Sequence, residues 1–319
     1  MLAASVTSFS PDSPLDGLEV GDAPEPVDRE HWVTVDVRAA SLNHHDLWSL
    51  RGVGLRRQQL PMVLGTDAAG VAPDGTEVVV HGVIGADGHG VGPRERRTLL
   101  SEHYPGTLAE RVAVPAANLI PKPAGLSFEE AACLPVSWLT AYSMLFTAGG
   151  LAPGDSVLIQ GAGGGVSTAA VLLGVAAGLE VFVTSRSEEK RERALSLGVA
   201  AALPPGERLP HRVDVVLESV GQATWGHSVR SVRPGGTITV CGATSGDASP
   251  AELTRLFFQE IRVQGVTMGS RDDLAALVNF VSRHDVKPLI DSDHRLRDTS
   301  EAMARLLTGT QFGKVVITT

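Results

Sequence analysis

The sequence predicts an α/β protein made of two dissimilar parts, a β-rich first third and a doubly wound parallel sheet. Two observations carry that reading. From about residue 156 onward, short β-branched runs alternate with helical signatures, an order that implies a parallel sheet covered on both faces. At the head of this pattern, Val157-Leu158-Ile159-Gln160 meets a glycine cluster, Gly161-Ala162-Gly163-Gly164-Gly165, and then a small-residue helix starting at Val166. Glycines let the backbone turn tightly and approach a pyrophosphate, while N–H groups at the helix start receive its charge. Residues 179–186 follow as the second strand of a βαβ unit, at the distance where a ribose is sensed.

Taken in order, Trp32–Ala39 alternates apolar and polar residues, as a half-buried strand should. Glu77–His81 and Glu110–Pro115 read as further strands, the second closed by proline. Between them, residues 82–107 carry Gly, Arg and His with no period and read as a surface excursion. Pro121-Lys122-Pro123 marks a boundary, and Ser127 with Glu130 forms a capping box that opens a helix. Strands are expected at 156–160, 180–184, 213–217, 236–241 and near 261–266, with helices at 166–178, 187–197 and 222–232. Pro234-Gly235-Gly236 reads as a tight turn feeding the fourth strand. The tail reads as helix 272–283, strand 287–290, helix 298–308 and a last strand from Lys314. Its apolar faces need a partner outside the doubly wound unit. The expected domains are therefore 1–120, 121–267 and a return to the first over 268–319.

Composition narrows the function classes. A chain of 319 residues is long enough to bury two cores. A formal charge of -9 argues against a nucleic-acid partner, because phosphate binding wants a basic face. Two cysteines, Cys133 and Cys241, make no disulfide framework. The first ten residues lack a basic, then apolar, leader pattern, and no run reaches the roughly 18 apolar residues of a membrane span. A cytoplasmic protein without a membrane partner is expected.

Several motifs in sequence resemble one superfamily: Ala40-Ser-Leu-Asn-His-His-Asp-Leu-Trp, Leu64-Gly-Thr-Asp-Ala-Ala-Gly, Gly106-Thr-Leu-Ala-Glu-Arg-Val, Leu139-Thr-Ala-Tyr, Asp214-Val-Val-Leu-Glu-Ser-Val-Gly, Pro234-Gly-Gly-Thr-Ile-Thr-Val-Cys-Gly-Ala-Thr and Gln311-Phe-Gly-Lys-Val-Val. With the glycine cluster, they resemble the medium-chain dehydrogenase/reductases, the group of alcohol dehydrogenases and quinone oxidoreductases. The resemblance implies a GroES-like catalytic domain interrupted by a Rossmann domain. It also implies a homodimer joined through the Rossmann sheets, with the strand near 261–266 as the seam.

The resemblance also shows where this chain departs. The positions of the family's catalytic zinc ligands hold Asn43, Thr66 and Val136, and the cysteine-rich structural zinc lobe is replaced by the cysteine-free segment 82–105. Zinc wants thiolate, imidazole or carboxylate donors, so no metal is expected. A metal cluster built from His44, His45, His81, His89 and His103 matches no standard spacing. Asp46 reads as a structural acid, paired with Lys314 or capping a helix; Asp67 reads as a buried acid. Lys314 is alternatively a cofactor contact.

After the second Rossmann strand comes Thr184-Ser185-Arg186-Ser187, with Lys190 nearby and no acid before Glu188. A carboxylate there would repel a 2′-phosphate, whereas arginine pairs with it through a fork of donors, so NADP(H) is the expected cofactor. The resemblance adds His44, Thr140, Gly163, Gly164, Gly165, Val166, Val220, Cys241, Gly242, Ala243, Thr267 and Met268 to the cofactor surface. Within the cluster, the fingerprint positions fall on Ala162, Gly164 and Ser167.

Without zinc, the resemblance implies hydride transfer to an alkene conjugated to a carbonyl, or to a quinone. The resulting enolate needs hydrogen-bond donors and a proton. Asn43 and Thr66 are the candidates to orient the carbonyl, and Tyr104 or His44 to supply the proton. Two alternatives stay open: a zinc-type alcohol dehydrogenase with replacement ligands, and a non-catalytic NADPH-binding protein.

Overall fold

The computed structural model describes residues 1–85, 97–247 and 250–319. The chain divides into two compact units, Met1–Val136 with Ser270–Thr319, and Ser137–Gly269. Residues 121–136 thus belong to the first unit and not, as expected, to the second. The reason is packing: the capped helix Phe128–Ala132 lies on strands Trp32–Ser41, Asp67–Val71 and Lys314–Thr318. Its capping box forms as the spacing predicts, with the Glu130 N–H donating to Ser127 Oγ at 3.2 Å.

In the first unit the main sheet runs Leu119–Pro121, Glu77–Val80, Asp67–Val71, Trp32–Ser41, Lys314–Thr318 and Ile290–Arg295, with Arg111–Pro115 also on Trp32–Ser41. The C-terminal strand pairs antiparallel to the long strand, Val316 opposite Ser41, so the tail finds the partner its apolar faces demand. The penultimate strand is displaced from its expected place at 287–290 to Ile290–Arg295. It sits at the sheet margin and is half exposed, so its polar residues Asp291, Ser292 and Asp293 obscured it. The excursion is less superficial than its composition suggests. Val83–Gly85 pairs antiparallel with Arg97–Leu99, and Val83 and Ile84 are buried in the core. His89 and the rest of 86–96 lie outside the described residues.

The second unit is a six-stranded parallel sheet in the order Ala201–Leu203, Glu180–Thr184, Ser156–Ile159, Val213–Glu218, Val232–Val240, Arg262–Gly265. Every residue of the central strand Ser156–Ile159 is buried, as its unbroken apolar run predicts for a strand covered on both faces. Each such Val, Leu or Ile contributes about 1.5–3 kcal/mol by leaving water. The Ala201–Leu203 strand is not signalled by the sequence, because alanines carry little strand preference. Pro234-Gly235-Gly236 makes its turn inside a strand, with Gly235 at φ 71°. It lies within the strand Val232–Val240 as a bulge: Val213 faces Val232, but Val215, two residues on, faces Thr237. Helices Gly165–Ala176, Glu188–Ser196 and Trp225–Ser231 fall close to their expected places.

Candidate functional site

The strand Ser156–Ile159 pairs with Glu180–Thr184 on one side and Val213–Glu218 on the other, so the strand order reverses at it. Ligands of open parallel sheets bind beyond the carboxyl ends of strands at such a switch point. Here those ends deliver the glycine loop, Ser185-Arg186, Ser219-Val220-Gly221 and Cys241-Gly242-Ala243 side by side. Gly161 and Gly163 adopt φ of 87° and 99°, which side chains resist. Gly164 caps the helix Gly165–Ala176, whose first internal turn begins with Thr168 N donating to Gly164 O. The N–H groups of Gly164, Gly165, Val166 and Ser167 therefore have no helical carbonyl to bond, which is the arrangement that can receive an anion at a helix N-terminus. A pyrophosphate fits this loop. Ser167, at the last fingerprint position, turns its hydroxyl back onto Gly164 O at 3.1 Å.

At the ribose strand end, Ser187 caps the helix Glu188–Ser196 by accepting from Lys190 N. Arg191, which carries no motif signal in the sequence, donates to Ser185 O at 2.8 Å and so braces the turn. Arg186 is exposed, and no acid is paired with it among the described residues. Thr140 and Met268 are buried, and Thr267 is exposed. Burial, with the Glu218 carboxylate adding to it, pushes the Cys241 thiol up to about 12, so it stays protonated and is no nucleophile. Cys133 is likewise pushed up to about 12 by burial.

The first unit holds a buried polar knot at the junction of three strands. Lys314 Nζ donates to Leu42 O at 2.7 Å, to Asn43 Oδ1 at 2.8 Å and to Asp67 Oδ2 at 3.1 Å. The same Asp67 oxygen accepts from Ser41 Oγ at 2.6 Å and Asn43 Nδ2 at 2.8 Å. Asp67 is fully buried and Lys314 is 2% exposed. Lys314 therefore pairs with Asp67 rather than Asp46, and all three of its donors are taken, which removes it from the cofactor contacts. Asp46 instead closes a capping box on the helix His44–Leu50, accepting from Asn43 N at 2.8 Å, and its other oxygen accepts from Gly65 N at 3.1 Å. Burial raises its carboxyl above the usual range.

These contacts decide what the predicted catalytic residues can do. Both ends of the Asn43 amide are engaged, so it holds the knot together and has no donor left for a substrate. Thr66 is 3% exposed and its hydroxyl has no partner among the described residues. A buried hydroxyl without a partner costs free energy that a bound carbonyl would recover. Tyr104 is 7% exposed. Its ring packs in the core edge-on to Trp32, 4.8 Å between centroids, with Arg29 over its face. His44 reaches solvent at the start of its helix, and the surrounding protein, then Lys314 and Arg51, lower its pKa. His45 moves the other way: its burial is overcome by the Glu102 hydrogen bond and the Asp46 and Glu102 charges.

A zinc ion does not fit the positions that would hold it. Asn43 Oδ1 already faces an ammonium, Val136 is alkyl, and Thr66 offers a lone hydroxyl. Among the described residues, no three His, Cys, Asp or Glu side chains gather into a metal-binding group. No helix among them is long and apolar enough to cross a membrane.

A GroES-like β-unit joined to a parallel-sheet unit with a glycine-loop anion cradle defines the class of dinucleotide-dependent dehydrogenases. Comparison with known proteins agrees. Residues 29–124 match the family described as alcohol dehydrogenase GroES-like domain, and residues 165–283 match zinc-binding dehydrogenase. A zinc-type alcohol dehydrogenase-like protein of Schizosaccharomyces pombe is 30% identical over 89% of this chain and 90% of its own length. A solved NAD-dependent alcohol dehydrogenase superposes with a TM-score of 0.89 at 32% identity, covering 100% of both chains. The 2-octenoyl-CoA carboxylase reductase solved with NADP and 2-octenoyl-CoA gives a TM-score of 0.89 at 25% identity, over 99% of this chain and 87% of that one. The chain belongs to the medium-chain dehydrogenase/reductase superfamily and is an oxidoreductase of that group.

Proposed function

We propose that this protein is a zinc-independent, NADPH-dependent reductase of alkenes conjugated to a carbonyl, or of quinones. The observation that carries the reading is the Lys314–Asn43–Asp67 knot, which puts an ammonium against the residue standing at the family's metal-ligand position. Alcohol oxidation needs a Lewis acid or an equivalent charge to stabilise an alkoxide. Addition of hydride to an already electrophilic carbon needs less: a donor to the developing enolate and a proton for the adjacent carbon. Thr66 Oγ1 is the donor. His44, solvent-facing and neutral at pH 7, hands on the proton from water. The bound dinucleotide supplies the hydride. The preference for NADPH rests on the unpaired, exposed Arg186 and on the absence of an acid at the ribose strand end. An enoyl thioester is the substrate bound in one of the solved neighbours, which places such acceptors in the test panel.

We also infer a homodimer. Strand Arg262–Gly265 is the last of its sheet, all four residues are exposed, and Leu253, Phe257 and Phe258 stand exposed just before it. An open edge flanked by apolar side chains is a template for pairing with a second copy about a two-fold axis.

The test is NADPH and NADH oxidation followed at 340 nm (the nicotinamide band) against enones, enoyl thioesters and quinones, with alcohols and NADP+ in reverse. Turnover with NADPH and an activated alkene is expected, and Arg186→Ala should weaken NADPH binding about tenfold or more while leaving NADH nearly unchanged. Alcohol oxidation dependent on added zinc, with the enones inert, sinks the reading.

A further inference from the structure

A buried polar relay in the second unit joins the glycine loop to a histidine that no part of the reaction uses. The Gly161 N–H donates to Thr184 Oγ1 at 3.2 Å, and that hydroxyl donates to Gln160 Oε1 at 2.8 Å. The Gln160 amide nitrogen lies 2.9 Å from His227 Nδ1 and donates to Ser228 Oγ at 3.0 Å. His227 Nε2 lies 2.8 Å from the Glu207 carbonyl, and Ser228 Oγ donates to Glu218 Oε2 at 2.6 Å. Gln160 and Thr184 are 1% exposed, Ser228 and Glu218 fully buried, and His227 6% exposed.

The direction of every proton in this relay is determined. The Glu218 carboxylate only accepts, so it takes the Ser228 proton. Ser228 Oγ must then accept from the Gln160 nitrogen, which leaves Gln160 Oε1 to accept the Thr184 proton. The Gln160 nitrogen thus has one hydrogen for Ser228 and one for His227 Nδ1. The Glu207 carbonyl only accepts, so the ring proton sits on Nε2. Neutral His227 satisfies every member. A second ring proton, on Nδ1, would face an N–H of Gln160, and turning the amide over would strip Thr184 of its acceptor and Ser228 of its donor. The charged groups around the ring are Glu218, through Ser228; Arg230, on its own helix; and Glu252. The Arg230 guanidinium and the Glu252 carboxylate each come within 3.3 Å of where Gly226 would carry a Cβ. None offers His227 Nδ1 an acceptor.

We propose that His227 is the positioning residue of the dinucleotide loop: while uncharged it locks Gln160, and through Thr184 the N–H of Gly161, into the cofactor-binding arrangement, and protonation releases it. The relay also touches the ribose strand end at Thr184, so both ends of the cofactor site share one buried support. This inference rests on the reading of the glycine loop as a dinucleotide site.

The test is calorimetric titration of the full chain with NADP+, which survives acid, between pH 7.5 and 5.5. Wild type is compared with His227→Asn, whose Oδ1 can accept from Gln160 at every pH, and with His227→Leu, which cannot. The Asn variant shares every other titration, including that of the 2′-phosphate, so the comparison isolates His227. Burial lowers the His227 pKa, so wild-type binding should weaken about threefold more than that of H227N over this range, and H227L should bind about tenfold more weakly already at pH 7.5. Parallel pH curves for wild type and H227N overturn the proposal, whether or not H227L folds. A wild type that binds neither NADP+ nor NAD+ at pH 7.5 overturns the dinucleotide reading itself.

Discussion

Replacing Lys314 by Met removes three hydrogen bonds, to Leu42 O, Asn43 Oδ1 and Asp67 Oδ2, and leaves the fully buried Asp67 carboxylate facing a methyl group. Ser41 and Asn43 still donate to Asp67, so the carboxylate keeps two of its three partners on that oxygen. Breaking one side of a buried ion pair typically costs about 3–5 kcal/mol, because the charge that remains has neither water nor counter-ion. At about 2–4 °C per kcal/mol for a unit of this size, the Lys314→Met variant should unfold about 6–20 °C below wild type. The double variant Asp67→Leu, Lys314→Met separates mechanism from mere damage. With no lone charge left, the apolar pair should be less unstable than the sum of the two single variants, though Ser41, Asn43 and the Leu42 carbonyl lose partners in it. Circular dichroism melts and urea titrations of the four proteins of this cycle give the coupling. A single variant within about 1 kcal/mol of wild type, or a double variant as unstable as the sum of the singles, refutes the account.

Two further outcomes follow from the same structure. Thr66→Ala should lower kcat for enone reduction about 100-fold or more while Thr66→Ser retains most of it, measured in steady state, and equal rates for the two variants would remove Thr66 from the reaction. Val263→Arg places a charge on the open sheet edge and should convert dimers to monomers in sedimentation or light-scattering measurements, whereas a wild type that is monomeric at micromolar concentration rejects that edge as the seam.

Most of the second unit was legible from the residues alone. A parallel sheet buried on both faces writes itself as short β-branched runs, and a dinucleotide loop writes itself as glycines between a strand and a helix. Those are local signals, and Ser156–Ile159, Glu180–Thr184 and the helix from Gly165 appear where they point. Legibility failed where neighbours decide. The half-exposed strand Ile290–Arg295 reads as polar because a sheet margin needs no alternation. Pro234-Gly235-Gly236 reads as a turn that opens a strand, and only pairing with Val213–Glu218 shows that Val232, before it, belongs to the same strand.

The sequence by itself determined the superfamily and the two-part α/β architecture, since both depend on residue types at fixed spacing. The tertiary structure alone decided which acid Lys314 joins, because Asp46 and Asp67 lie 268 and 247 residues before it and no periodicity ranks them. Strand pairing settles the matter: Lys314–Thr318 lies beside Trp32–Ser41, which lies beside Asp67–Val71, with Ser41 opposite both Val316 and Asp67. That register carries Lys314 onto Asp67 and Asn43, consumes the Asn43 amide, and leaves Thr66 with the free hydroxyl. Contacts between residues so far apart in the chain are set by how sheets pair, and that information belongs to the fold as a whole.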